Sequence, residues 1–135
     1  MVEGRDFDGK VIDEWVSFWN TYDLSQFDRL FLTDDRVSYF SSEKEGLVKG
    51  ADAVRAHHVG FGFVPGGKAS ANRLWLDDVH AEMLGSAVVV TAIWYFQRAG
   101  SDKVQRGPVT LIYAQDGGQH RIAHANFSNY AAQGA

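Results

Sequence analysis

The stretch RGPVTLIYAQDGGQHRIAHANFSNY, residues 106–130, decides how the chain is read. Two apolar runs, 109–114 and 121–127, flank Asp116-Gly117-Gly118, and glycine supplies the positive φ that a tight hairpin turn requires. The pattern predicts a β-hairpin. Side chains alternate along a strand with period two, so Ile122, His124, Asn126 and Ser128 fall on one face of its second strand. An imidazole and an amide beside isoleucine predict the wall of a polar-tipped cavity rather than a plain core face.

Upstream, residues 72–84 and 87–98 form two long runs divided by Gly85-Ser86, a dipeptide suited to a two-residue turn, and residues 99–102 make the next turn. Pairing outward from each turn puts Trp75, Asp77 and Val79 on a face with Val90, Ala92, Trp94 and Phe96. The same face continues through Val109, Leu111 and Tyr113 to Ile122, His124 and Asn126. It is apolar and aromatic with three polar exceptions, Asp77, His124 and Asn126. The opposite face offers Ala123, Ala125 and Phe127 beside Thr110 and Ile112, small residues around an aromatic that predict close packing of two sheets in a homodimer.

Towards the N-terminus, Val11, Ile12, Trp15, Val16, Phe18, Trp19 and Tyr22 recur at three- and four-residue spacing after Asp8, which predicts an amphipathic helix. Asp23 is placed to cap a second, shorter helix carrying Leu24, Phe27, Leu30 and Phe31, closed by Thr33-Asp34-Asp35. A strand is expected over 37–40, a turn over 43–46 into a short extended piece at Leu47-Val48, and a third helix from Gly50-Ala51-Asp52 through His57, with Asp52 as its cap. Gly60, Gly62, Pro65, Gly66 and Gly67 then fall within eight residues, which predicts a loop. Gly62, Gly67 and Lys68 have the offsets of a phosphate-binding loop, but Ala69 stands where a hydroxyl is needed and the helix precedes the loop. The segment reads as a mobile lid, and the tail AAQGA is expected to fray.

Length and composition set the bounds. With 135 residues the chain is expected to form one domain, 1–135, with a single core. Hydrophobic content of 45% and charged content of 22% exclude wholesale disorder. The four Trp and nine Phe are enough both to fill a core and to line an apolar pocket. The net charge of -4 carries no basic run, which argues against a nucleic-acid partner. Zero Cys excludes disulfides, thiolate metal sites and a cysteine nucleophile. No apolar stretch reaches the length of a membrane span and the first ten residues lack a signal-peptide core, so a cytoplasmic, non-membrane protein is expected.

Three helices followed by a four-stranded meander, with a short strand pair between them, resemble the nuclear transport factor 2-like superfamily and its SnoaL-like domains. The resemblance is carried by W-x3-W-N-x-Y-D-L (residues 15–24), L-F-x-x-D-D (30–35), GLVKGADA (46–53) and DGGQHRIAHANFS (116–128). It implies a cystatin-like α+β cone, with N-terminal helices on a strongly curved, mainly antiparallel sheet, a cavity between them, and homodimers through the sheet. The superfamily includes ketosteroid isomerases, dehydratases, cyclases, and transport and kinase-association domains, so the fold alone does not choose a function. Where the isomerases carry a catalytic Tyr and a base Asp, this chain has Trp15 and Phe40, which supply neither phenol nor carboxylate. His124-Ala125-Asn126-Phe127-Ser128 resembles the His-x-His-x-Ser ending of kinase-association domains, with one His replaced.

Two residues are the candidate catalytic groups. His124 reads either as a general acid or base in a semi-apolar cavity or as a hydrogen-bonded structural histidine. Asp77 reads either as a base whose pKa is raised by Trp75 and Trp94 or as part of a solvated strand edge or bulge at Asp77-Asp78. Tyr39, Tyr113 and Asn126 are candidate hydrogen-bonding partners for a ligand oxygen, and Trp19, Trp75 and Trp94 candidate pocket walls. His57 and His58 point about 100° apart on a helix, so at most one faces the cavity. No chelating spacing predicts a metal site, and no cofactor is expected. The expected function is binding of a small apolar or aromatic molecule, with isomerisation, dehydration or cyclisation by proton transfer as the chemistry if there is any. The alternative is a non-catalytic binding or assembly module.

Overall fold

The computed structural model describes residues 7–131, and the tail expected to fray lies, beyond Ala131, outside them. Helix α1 (Lys10–Thr21) turns Ile12, Trp15, Phe18 and Trp19 to one side, and all four are buried. It stops at Tyr22, which takes a left-handed φ of 58° and returns its N–H to the Phe18 carbonyl. Asp23 then accepts the Ser25 N–H at 3.1 Å, opening a 3-10 turn (Leu24–Gln26) that runs into the single-turn helix α2 (Phe27–Leu30). An acceptor at this position satisfies a donor that a helix start otherwise leaves bare.

Strands β1 (Ser38–Ser41) and β2 (Lys44–Lys49) pair as a hairpin, and helix α3 (Ala51–Gly60) follows. Its cap position is Gly50, at a φ of 91°, one residue pair ahead of the expected Asp52. Four long strands complete the chain: β3 (Arg73–Leu84), β4 (Ala87–Gln97), β5 (Val104–Asp116) and β6 (Gln119–Phe127). The six-stranded sheet has the order β2-β1-β6-β5-β4-β3, and β1 with β6 is its parallel pair. Helices on one side of this curled, mostly antiparallel sheet make the α+β cone.

The core lies between helices and sheet. From the sheet it takes Tyr39, Leu74, Val88, Val90, Trp94, Val109, Leu111, Tyr113, Ile122, Ala125 and Phe127, all buried. Asn20 joins the layers: its Nδ2 donates to the Leu74 carbonyl at 3.0 Å and its Oδ1 accepts the Leu74 N–H at 2.8 Å, which fixes the end of α1 to the start of β3. Gly107 is buried on β5, and a Cβ there would lie 1.9 Å from the Ser128 carbonyl oxygen, so only glycine lets the chain after β6 cross so closely.

Two register shifts rearrange the expected faces. Between β4 and β5 the ladder runs unbroken, and Val90, Ala92, Trp94, Val109, Leu111 and Tyr113 point inward as predicted. On β3, however, His80 faces Thr91 while Asp77 faces Ile93, three residues against two. The extra residue is a bulge in which Asp78 takes a φ of 54°, and beyond it each side chain changes face. Leu74 and Leu76 therefore point inward, correcting the expectation for Trp75 and Asp77. On β6 a second bulge at Ala123 lies between the Tyr113–Ile122 and Ile112–His124 pairs. Ile122 faces inward as expected, but past the bulge Ala125 and Phe127 are core and His124 and Asn126 lie on the outer face. The expected packing surface of Ala123, Ala125 and Phe127 is corrected in the same way.

The glycine-rich segment is also tied down. Val64 N–H donates to the Tyr22 carbonyl, Leu24 N–H to the Val64 carbonyl, and Lys68 N–H to the Thr21 carbonyl, at 2.9–3.0 Å. Asp23 Oδ1 accepts the Gly66 N–H at 2.8 Å, and Phe63 is buried against Phe18, Trp19 and Tyr22. These bonds and ring contacts seat residues 63–68 against the end of α1.

Candidate functional site

The end of α1, the β1–β2 turn, the start of β3 and the end of β4 surround an open pocket. Its cavity volume is about 70 Å³, within a concavity of about 530 Å³ that counts open solvent at the mouth. By the measure in which one water needs roughly 10–15 Å³, the inner part holds several waters or a small ring. Trp19, Phe61, Leu74, Trp94, Phe96 and Phe127 make its apolar floor. Tyr22, Tyr39, Ser41, Ser42, Glu43, Asn72, Arg98 and Gln105 make its polar parts.

Each wall is fixed by a local cause. Trp94 donates its indole N–H to the Ser128 carbonyl at 2.9 Å, the same carbonyl that approaches Gly107. Asn72 donates from Nδ2 to the Tyr22 hydroxyl at 2.9 Å and accepts the Ala99 N–H at 2.7 Å, bracing the start of β3 against both α1 and the turn after β4. On the opposite side Gln105 Nε2 donates to Glu43 at 2.9 Å and to Asn129 at 2.9 Å, while Asn129 donates to the Ser42 carbonyl at 3.3 Å. These bonds clasp the β1–β2 turn to the ends of β5 and β6. The Arg98 guanidinium lies over the Phe96 ring, 5.4 Å from its centre.

Of the residues expected to form a site, Trp19, Tyr39 and Trp94 line this pocket. Burial raises the Tyr39 pKa, which keeps its hydroxyl a proton donor. His57 stands behind the wall: its ring is 5.2 Å from Tyr39 and 4.9 Å from Phe61, and it lines a separate groove between α3 and β2 with Lys44 and Val48. Burial, with a smaller contribution from the Lys44 charge, lowers its pKa. His58 is fully buried, with Phe18, Trp19, Phe27, Phe31, Tyr39 and Phe63 rings 5.2–5.8 Å away. Its Nδ1 lies 2.8 Å from the Val54 carbonyl, so Nδ1 carries the proton, and Nε2 has no partner among the described residues. Burial holds its pKa down to about 3. It is a neutral core histidine.

The remaining candidates lie elsewhere. His124 is half-buried on the outer face, with Nδ1 2.7 Å from the Ser38 hydroxyl and its ring edge-on to Phe40. Its pKa is lowered by burial, against an opposing effect of Ser38. This is the hydrogen-bonded reading of that residue. Asn126, also outside, accepts from the Ser128 hydroxyl at 3.2 Å. Asp77 is exposed on the edge strand and accepts the Asp78 N–H at 2.9 Å, within the bulge. Trp75 stacks on Tyr95 outside the sheet, with 5.4 Å between ring centres. Tyr113 is inside, but it packs on Phe7 at 5.1 Å and does not line the pocket. Among the described residues no group of three or more His, Asp or Glu is placed to hold a metal ion.

Sequence reasoning named only Trp19, Tyr39 and Trp94 of the lining residues; among those it missed, Glu43, Phe61, Asn72, Arg98 and Gln105 come from turns and strand ends, and Tyr22, Phe96 and Phe127 were read only as parts of apolar stripes or faces.

The same α+β cone is found in nuclear transport factor 2-like proteins. The SnoaL-like domain family matches residues 9–133, and the chain belongs to it. Among solved structures it is similar to a candidate dehydratase of the NTF2-like family from Streptomyces avermitilis (16% identity, TM-score 0.77, covering 92% of this chain and 94% of that one). It is also similar to the CaMKII hub of S. rosetta (21%, TM-score 0.74, covering 90% and 92%). A third is a candidate ketosteroid isomerase from Parabacteroides distasonis (20%, TM-score 0.69, covering 90% and 83%). At these identities the likeness is one of fold. No curated protein matches the sequence. No described helix is long and apolar enough to cross a membrane.

Proposed function

We propose that this domain binds a small, largely apolar molecule in this pocket. The observation that carries the reading is the lining: six apolar side chains form the floor and the polar groups stand around it, the arrangement that lets burial supply affinity and a few polar contacts supply orientation. Proton transfer by His124 or Asp77 has no support from geometry, because neither residue lines the pocket. Glu43 is the carboxylate on that wall and Tyr39 a neutral hydroxyl donor. A bound carbonyl compound would therefore meet an acid–base pair of Tyr39 and Glu43 if the domain is an isomerase, dehydratase or cyclase. The test is a thermal-shift screen of small aromatic carbonyl compounds and acids against the wild type and Ser41→Phe, which fills the mouth from β1. Ligands that bind the folded state raise its melting temperature. Shifts seen with the wild type and lost in Ser41→Phe support the reading; shifts of equal size in both place binding elsewhere.

The outer sheet face supports a second role, homodimer formation. Phe40, Ile93, Ile112 and the Trp75–Tyr95 stack present apolar surface there, and Phe40 is 39% exposed although it lies on a strand. Light scattering of the wild type and Ile112→Lys tests this: a dimer that becomes a monomer in the variant supports it, and a wild-type monomer at high concentration opposes it.

A further inference from the structure

The polar atoms of the pocket can be sorted by what they already do. Gln105 uses its amide group on Glu43 and Asn129. Glu43 accepts from Gln105 and, at 3.3 Å, from the Ser42 hydroxyl. The Ser41 hydroxyl accepts the Glu43 N–H at 3.0 Å, and the Tyr22 hydroxyl accepts from Asn72. An oxygen that accepts keeps its own hydrogen free to donate, so Ser41 and Tyr22 remain donors. Tyr39 has no hydrogen bond among the described residues and is a third hydroxyl donor. Arg98 makes no ion pair among the described residues, yet its guanidinium is held at the rim by the Phe96 ring beneath it. The unengaged hydroxyls are thus donors, and of the two charged side chains on the wall, that of Arg98 has no hydrogen bond or ion pair among the described residues, whereas one Glu43 oxygen already accepts two hydrogen bonds.

We infer that the preferred occupant is an aromatic or aliphatic carboxylate, with its hydrocarbon body on Trp19, Trp94 and Phe96 and its carboxylate at Arg98. The inference rests on the pocket being a binding site. A guanidinium offers a planar fork of donors that a carboxylate meets with two parallel bonds, whereas an amide or alcohol meets one. Stacking on Phe96 restricts the Arg98 head before any ligand arrives, which lowers the ordering cost of that pair. Glu43 sits on the same rim and opposes a negative charge. Its Oε2 already accepts from Gln105 and Ser42, and it forms no ion pair with Arg98, so the guanidinium is free for a ligand.

The experiment compares 3-phenylpropanoate with its neutral counterpart 3-phenylpropanamide by titration calorimetry, on the wild type, Arg98→Gln and Arg98→Lys. For a partly exposed pair the expected preference for the carboxylate is about fivefold, shrinking at high salt. Arg98→Gln is expected to remove the preference by lowering carboxylate affinity more than amide affinity, and Arg98→Lys to keep part of it. Arg98 is exposed, so melting curves of the variants should overlay the wild type. Equal affinity of the two probes for the wild type overturns the carboxylate inference and leaves the pocket standing. A preference that survives Arg98→Gln overturns the assignment to Arg98. Failure of both probes to bind at millimolar concentration overturns the pocket reading and this inference together.

Discussion

Lowering the pH from 7 to 5 should destabilise this domain through one buried side chain, His58. In the folded state its pKa is about 3, against 6.5 for a free histidine. Between those values the unfolded chain binds a proton that the folded chain refuses, so folding stability falls as pH falls. At pH 7 both forms are neutral and the effect is nearly absent. With roughly 1.4 kcal/mol for each pH unit below the free value, about 2 kcal/mol is lost by pH 5 and about 4 kcal/mol by pH 3. The physical cause is burial among aromatic side chains: Val54 accepts from Nδ1, but Nε2 has no acceptor among the described residues for a second proton. Against a typical total stability of about 5–15 kcal/mol the loss at pH 5 is readily measured. Urea unfolding followed by tryptophan fluorescence, at pH 7 and pH 5, on the wild type and His58→Leu, isolates it. The wild type should lose about 2 kcal/mol more than the variant between the two pH values. Equal losses in the two proteins would refute the buried neutral histidine, since the other titrating groups are common to both.

Two other outcomes follow from the same geometry. Gly107→Ala should cost about 1–3 kcal/mol or more, because the new Cβ meets the Ser128 carbonyl and that backbone cannot yield without releasing the Trp94 indole; urea midpoints measure it, and an unchanged midpoint would contradict the close crossing. His124→Ala should leave ligand affinity at the pocket unchanged and lower stability by about 1 kcal/mol through loss of the Ser38 contact, which calorimetry and denaturation on one sample decide; a large loss of affinity with stability intact would return His124 to the site.

Much of the fold was legible because periodicity and turn chemistry agree along this chain. The stripe of Ile12, Trp15, Phe18 and Trp19 gave α1, and Gly85-Ser86 and Gly117-Gly118 gave two hairpins whose turn pairs, Leu84–Ala87 and Asp116–Gln119, are those observed. The site was less legible, for one physical reason. A sheet has period two, so a single inserted residue exchanges its faces. The Ala123 bulge carries no glycine and no unusual φ, and alanine on either side of His124 reads the same in both registers. Asp77-Asp78 did hold a hint, since aspartate tolerates the left-handed region better than most residues, and the bulge was one of its two readings. Trp94 was placed correctly because no bulge separates it from a turn. The rim residues Glu43, Arg98 and Gln105 belong to a turn and to strand ends brought together by the curl of the sheet, which no local pattern encodes. His57 and His58 followed the helical geometry: one entered the core, and the other stayed at its edge.

The central claim is that ligands enter this pocket and touch its inner wall. The most direct measurement is an amide and indole NMR titration with 3-phenylpropanamide, whose neutral body tests the pocket apart from the Arg98 pairing. The indole resonances of Trp19 and Trp94 and the backbone amides of Ser41, Phe61 and Leu74 should shift together along one binding curve, while Trp75, His124 and Asn126 on the outer face stay in place. Shifts centred on Trp75, His124 and Asn126, with Trp19 and Trp94 unmoved, would contradict it.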